Sequence, residues 1–239
     1  MAGKISVLTL LCLAVACGRE AKTPEQSGSE RQVTNAPVGG AAASAPATDT
    51  RPAILFFGTS LTAGLGLETE QAYPALIQRK LDSARLAFRA VNAGVSGETS
   101  AAGLRRIDWI LQQPVAVLVL ELGANDALRG LELAAAKQNL QEIINHTRAR
   151  NPDVKLVVAG MQAPPNLGTR YTAEFRQMFV DLARENKAAL IPFLLAGVGG
   201  IDSLNQRDGI HPNLLGERIV AANVWKVLEP ILVAGPSPK

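Results

Sequence analysis

Five short apolar runs alternate along the chain with longer stretches in which apolar residues recur every three to four positions. The runs cover 53–57, 86–91, 115–122, 154–159 and 188–193, each of strand length. The third is apolar throughout except for Glu121, the pattern of a central strand covered on both faces. The stretches 71–84, 100–112, 131–149, 170–186 and 213–229 read as amphipathic helices. Leu133, Leu140, Ile143 and Ile144 share one face in the third, and Phe175, Met178, Phe179 and Leu182 share one in the fourth. Asn151-Pro152 and Asn213 fall at helix boundaries, where breakers and caps belong. Strand followed by helix, five times over, predicts a parallel sheet with helices on both faces: a three-layer α/β/α fold. Such sheets collect their sites at the carboxyl ends of the strands.

The pattern begins only near residue 53, and what precedes it differs in kind. Lys4 and the apolar stretch 5–16 have the layout of an export signal, too short to span a bilayer as a stable helix. The stretch ends Leu13-Ala14-Val15-Ala16-Cys17, which has two readings. Cleavage after Ala16 would release a soluble protein. A lipobox reading makes Cys17 the lipidated first residue, although Ala14 stands where a leucine is usual. The second is preferred, because a cysteine there otherwise has no purpose. Residues 18–52 are rich in Ala, Ser, Thr, Pro, Gly and Gln and read as a flexible tether. The expected organisation is therefore a signal over 1–17, a tether over 18–52, a folded domain over 53–233 and a tail over 234–239. The expected location is the periplasm or, through the lipid on Cys17, the outer membrane of a bacterium.

Composition removes several chemistries. Both cysteines, Cys12 and Cys17, precede the domain, so it has no internal disulfide, thiolate metal site or cysteine nucleophile. The net charge is +3 with no basic run, which gives no sign of a nucleic-acid partner. With only two histidines the choice of a general base is nearly forced. Ser60 lies just past the first strand in Gly58-Thr59-Ser60-Leu61-Thr62-Ala63-Gly64. His211 lies in Asp208-Gly209-Ile210-His211-Pro212-Asn213, with a carboxylate three positions away to fix its tautomer. His146, near a helix end without an acidic sequence neighbour, reads as a surface residue. Two more polar clusters end strands: Asn92-Ala93-Gly94-Val95-Ser96-Gly97-Glu98-Thr99-Ser100 and Glu121-Leu122-Gly123-Ala124-Asn125-Asp126. The Ser60 and Gly97 N–H groups and the Asn125 amide are candidate oxyanion donors. Each cluster alone is an ordinary turn.

Taken in order, the four clusters around Ser60, Gly97, Asn125 and His211 resemble the four sequence blocks of the SGNH (GDSL-type) hydrolases. The similarity is to the bacterial arylesterase and acyl-thioesterase/lysophospholipase branch. It is carried by Glu121 to Gly130, by Ala163-Pro164-Pro165-Asn166-Leu167-Gly168 with Arg170-Tyr171, and by Asp208 to Asn213. The resemblance implies a five-stranded, flavodoxin-like sheet. It implies a triad of Ser60, His211 and Asp208, and oxyanion donors from Ser60, Gly97 and Asn125. It also implies an acyl groove at Leu128, Arg129, Pro164 and Ile210, with no metal or cofactor. The expected partner is a small-molecule or lipid acyl ester, reached by a monomer. A carbohydrate O-acetylesterase and an inactive acyl-ligand binder are the competing readings. One departure stands out: where the family carries Gly-Asp-Ser-Leu, this chain has Thr59. Threonine keeps a hydroxyl but loses the charge, which brings the rigidity of the oxyanion loop into question.

Overall fold

The computed structural model describes residues 49–234. The expected leader, Cys17, the tether up to residue 48 and the tail from residue 235 lie outside the described residues. Within them, β1 (Ala53–Gly58), β2 (Arg89–Gly94), β3 (Val115–Glu121), β4 (Lys155–Ala159) and β5 (Ala189–Ile191) form one parallel sheet. Its order is β2-β1-β3-β4-β5, the flavodoxin-like arrangement, with β3 at the centre. Helices α2 (Tyr73–Ser83), α3 (Ser100–Ile110), α5 (Leu133–Arg150), α6 (Thr169–Glu185) and α7 (Leu214–Val233) flank it. α2 packs on α7, while α3 packs on α5 and α5 on α6, giving the outer layers of the three-layer fold. Two short helices, α1 (Ser60–Ala63) and α4 (Ala124–Leu128), follow β1 and β3 directly.

The core fills from β1 and β3, whose apolar side chains are almost all buried: Ile54, Phe56, Phe57, Leu118 and Val119 have no exposed surface. Burying one such side chain contributes about 1.5–3 kcal/mol, so two fully covered strands dominate the packing. Three departures from the sequence pattern have a plain physical reason. β2 starts at Arg89 rather than at residue 86, because Leu86 and Phe88 pack onto the core from the preceding loop. β1 then pairs Ala53 with Arg89 and Gly58 with Gly94. β5 is only three residues long and stops at Ile191, ahead of Pro192, which has no N–H to give a ladder. α7 runs to Val233 through Pro230, where a stop was expected at residue 229. Leu232 is buried and Ile231 packs on the core, so apolar packing carries the helix past the missing hydrogen bond.

Candidate active site

All the polar clusters found in the sequence converge at the carboxyl edge of the sheet. Ser60 opens α1, immediately after Thr59, whose backbone is extended (φ −98°, ψ −151°). The first N–H groups of a helical turn have no acceptor within it, which leaves them for other partners. Gly64, at φ 74°, ends the turn in the left-handed region.

Beneath this turn lies a carboxylate that sequence reading did not treat as functional. Glu121, with no exposed surface, ends β3. It accepts the Thr59 N–H at 2.8 Å, the Thr59 hydroxyl at 2.9 Å and the Thr62 hydroxyl at 2.8 Å. Burial pushes its pKa up, and the hydrogen bonds from Thr59 and Thr62 oppose that. A Cβ on Gly58 would come within 2.5 Å of the Glu121 carboxylate and 2.2 Å of Thr62 Oγ1, so only glycine fits there. Thr59 is 1% exposed, and Glu121 holds it at both its N–H and its hydroxyl. The signal for Glu121 was present: a lone acid in an otherwise apolar central strand.

His211 comes from the other end of the chain. Its Nε2 lies 2.8 Å from Ser60 Oγ and its Nδ1 lies 2.7 Å from Asp208 Oδ2. The other oxygen of Asp208 accepts the N–H groups of His211 at 3.0 Å and Ile210 at 2.9 Å. Those backbone donors, with the imidazole after them, pull the Asp208 pKa down to about 2. An ionised Asp208 requires a proton on Nδ1, which leaves Nε2 as acceptor for the serine hydroxyl. Gly209 adopts φ 70° so that the loop can fold back onto the carboxylate. Asn213 caps α7 by accepting from Leu215 and Gly216, fixing where the loop ends.

The remaining clusters face Ser60 across a cleft of about 330 Å³. Gly97, at φ 77°, lies in the loop after β2. Arg106 grips the Glu98 carboxylate with two 2.6 Å bonds, donates to Ala93 O at 2.7 Å and stacks 4.2 Å from the centre of the Phe57 ring. Asn125 Nδ2 donates to Glu98 O at 3.0 Å. Asp126 accepts the Ser100 N–H and hydroxyl at 2.8 and 2.6 Å, tying the loops after β2 and β3 together. Leu128, Pro164 and Ile210 line the cleft, together with Leu65, Met161 and Leu195. Arg129 is not among the lining residues; its Nη2 donates to Gly97 O at 2.9 Å and so backs that loop. His146 sits near the surface with its Nδ1 3.1 Å from each Asp108 oxygen, and among the described residues no serine hydrogen-bonds to it.

Residues 56–219 match a family model described as GDSL-like Lipase/Acylhydrolase family. The chain is 42% identical over 180 residues to Esterase TesA of Pseudomonas aeruginosa, covering 75% of this chain and 89% of that protein. It is 37% identical over 190 residues to the Escherichia coli K12 protein named thioesterase 1/protease 1/lysophospholipase L1, covering 79% and 87%. The structure of the psychrotrophic esterase EstA from Pseudoalteromonas sp., inhibited by monoethylphosphonate, matches with a TM-score of 0.71 at 31% identity. That match covers 76% of this chain and 98% of the other.

Proposed function

The chain belongs to the GDSL-like lipase/acylhydrolase family and is a carboxylic ester hydrolase, and we propose that it works through Ser60, His211 and Asp208. The observation that carries this reading is the continuous line Asp208–His211–Ser60, with contacts of 2.7 and 2.8 Å. His211 Nε2 takes the hydroxyl proton as Ser60 Oγ attacks the ester carbonyl. The carbonyl oxygen becomes an oxyanion held by the Ser60 and Gly97 N–H groups and the Asn125 amide. His211 then gives its proton to the departing alcohol. A water molecule repeats both steps on the acyl-serine and releases the acid. Asp208, already ionised, stabilises the imidazolium that forms twice in the cycle.

The substrate class follows from the cleft. Leu61, Leu65, Leu128, Met161, Leu195 and Ile210 make its lining largely apolar, which suits an acyl chain longer than acetyl. The names of the relatives span ester, thioester and lysophospholipid hydrolysis. Export through the leader at 1–17 would separate the enzyme from cytoplasmic thioesters and favour amphiphilic oxygen esters.

A fluorophosphonate probe tests the nucleophile. Wild type takes up one label and Ser60→Ala takes up none; labelling of the variant at another serine would overturn the assignment. A series of p-nitrophenyl esters from acetyl to octanoyl tests the substrate class. Activity confined to acetyl esters would replace the acyl-chain reading with a carbohydrate O-acetylesterase.

A further inference from the structure

Two loops from opposite ends of the chain meet at the cleft, and one side chain fastens them. Gln206 Nε2 donates to Leu65 O at 2.6 Å and to Pro212 O at 3.0 Å, while the Gln206 main-chain N–H donates to His211 O at 2.7 Å. Leu65 is bonded at its other end too: its N–H donates to Ser60 O at 3.0 Å. The peptide that presents Leu65 is therefore suspended between the helix of the nucleophile and the loop of the base. Leu65 lines the cleft and is 44% exposed, so few packing contacts hold it besides these bonds.

The neighbouring glycine is shaped to this bond. Gly66 adopts φ 80°, and a Cβ there would come 2.2 Å from Gln206 Oε1. Position 66 thus has no room for a side chain while Gln206 holds its place. The chemistry at 206 is equally narrow. One atom must donate to two carbonyl oxygens at once, which a primary amide does and a carboxylate does not.

We propose that Gln206 is a positioning residue that sets acyl-chain specificity by locking the Leu65 wall of the cleft against the histidine loop. The proposal rests on the esterase reading above. With the lock in place the wall is ordered before substrate arrives. Without it, a long acyl chain has to order Leu65 on binding, and that cost falls on long substrates alone. A short acyl group that does not reach Leu65 is spared the cost.

Gln206→Ala removes both side-chain bonds and keeps the main-chain bond to His211. The readout is kcat and KM on p-nitrophenyl octanoate and acetate. The octanoate-to-acetate ratio of kcat/KM should fall about tenfold, and the loss should sit in the octanoate KM. Gln206→Glu, of nearly the same shape without the donors, should give the same shift, and it serves if the alanine variant is poorly folded. A wild-type ratio in Gln206→Ala and Gln206→Glu would overturn the lock. Fluorophosphonate labelling of Ser60 in the same samples separates the two failures. Absent labelling in wild type removes the esterase reading, while normal labelling with an unchanged ratio removes only the lock.

Discussion

Asn125 has two amide hydrogens, and one is committed to Glu98 O at 3.0 Å. That bond fixes the amide plane and leaves the second hydrogen for the oxyanion of the proposed mechanism. Asn125→Ala should lower kcat by roughly 10²–10³ with KM little changed, because the donor acts on charge that exists only in the transition state. Steady-state kinetics on a p-nitrophenyl ester read the split; a loss confined to KM would assign Asn125 to substrate binding instead. The two histidines illustrate the same scale. Both sit against an aspartate, Asp208 for His211 and Asp108 for His146. Among the described residues, only His211 has a serine hydroxyl at its other nitrogen. The pairing of His146 could not be read from the chain, because Asp108 lies 38 residues away on another helix.

At the level of the element, the turn that carries Ser60 is a four-residue helix, far too short to hold itself together. Glu121 supplies what the helix lacks, taking Thr59 and Thr62 from below. In a chain with Gly-Thr-Ser-Leu, the carboxylate under the turn comes from β3 and the threonine serves as its donor. Glu121→Leu would strand the Thr59 N–H and the Thr59 hydroxyl in the core, at about 1–3 kcal/mol for each unsatisfied group, and leave the Thr62 hydroxyl to Tyr73 alone. Urea unfolding should show a loss of roughly 3 kcal/mol or more. Glu121→Gln keeps an acceptor for the N–H and should lose less than half of that. Equal losses in the two variants would mean that packing around β3, rather than hydrogen bonding, supports the turn. Sequence pattern predicted every long helix and strand here, since each carries enough apolar positions to show a period. It passed over α1 and α4, whose few residues show none.

Across the whole molecule, the buried polar line continues from Glu121 to the far helix layer. Thr62 Oγ1 lies 2.8 Å from Tyr73 Oη, and the Tyr73 N–H donates to Glu217 Oε2 at 2.7 Å, joining α2 to α7. Glu217 is 2% exposed, and burial, with the Glu121 carboxylate adding to it, pushes its pKa up to about 8. An unfolded glutamate titrates near about 4.3. Between these values the native state holds a proton that the unfolded state has released. This contribution is therefore complete below about pH 4.3 and is lost as pH rises through about 8, by up to about 1.4 kcal/mol per pH unit. Glu217→Gln keeps the acceptor and carries no titratable proton. Its melting temperature should gain on that of wild type steadily from pH 5 to pH 8. A constant difference across that range would show that Glu217 is not protonated in the native protein.

What the sequence determined alone is the scaffold and the candidates for its chemistry. Alternating apolar periods dictate strand and helix, parallel strands direct loops to one edge, and with two histidines and a serine-bearing turn the candidate reacting residues are few. Tertiary structure decided how those residues are supported. Glu121 meets Thr59 across 62 positions, and Gln206 meets Leu65 across 141. Such contacts leave no mark on local periodicity, because a hydrogen bond between distant residues depends on sheet register and loop closure rather than on their neighbours in the chain. The same holds for Arg129, whose place in a cleft motif suggested the acyl groove but whose guanidinium backs the Gly97 loop.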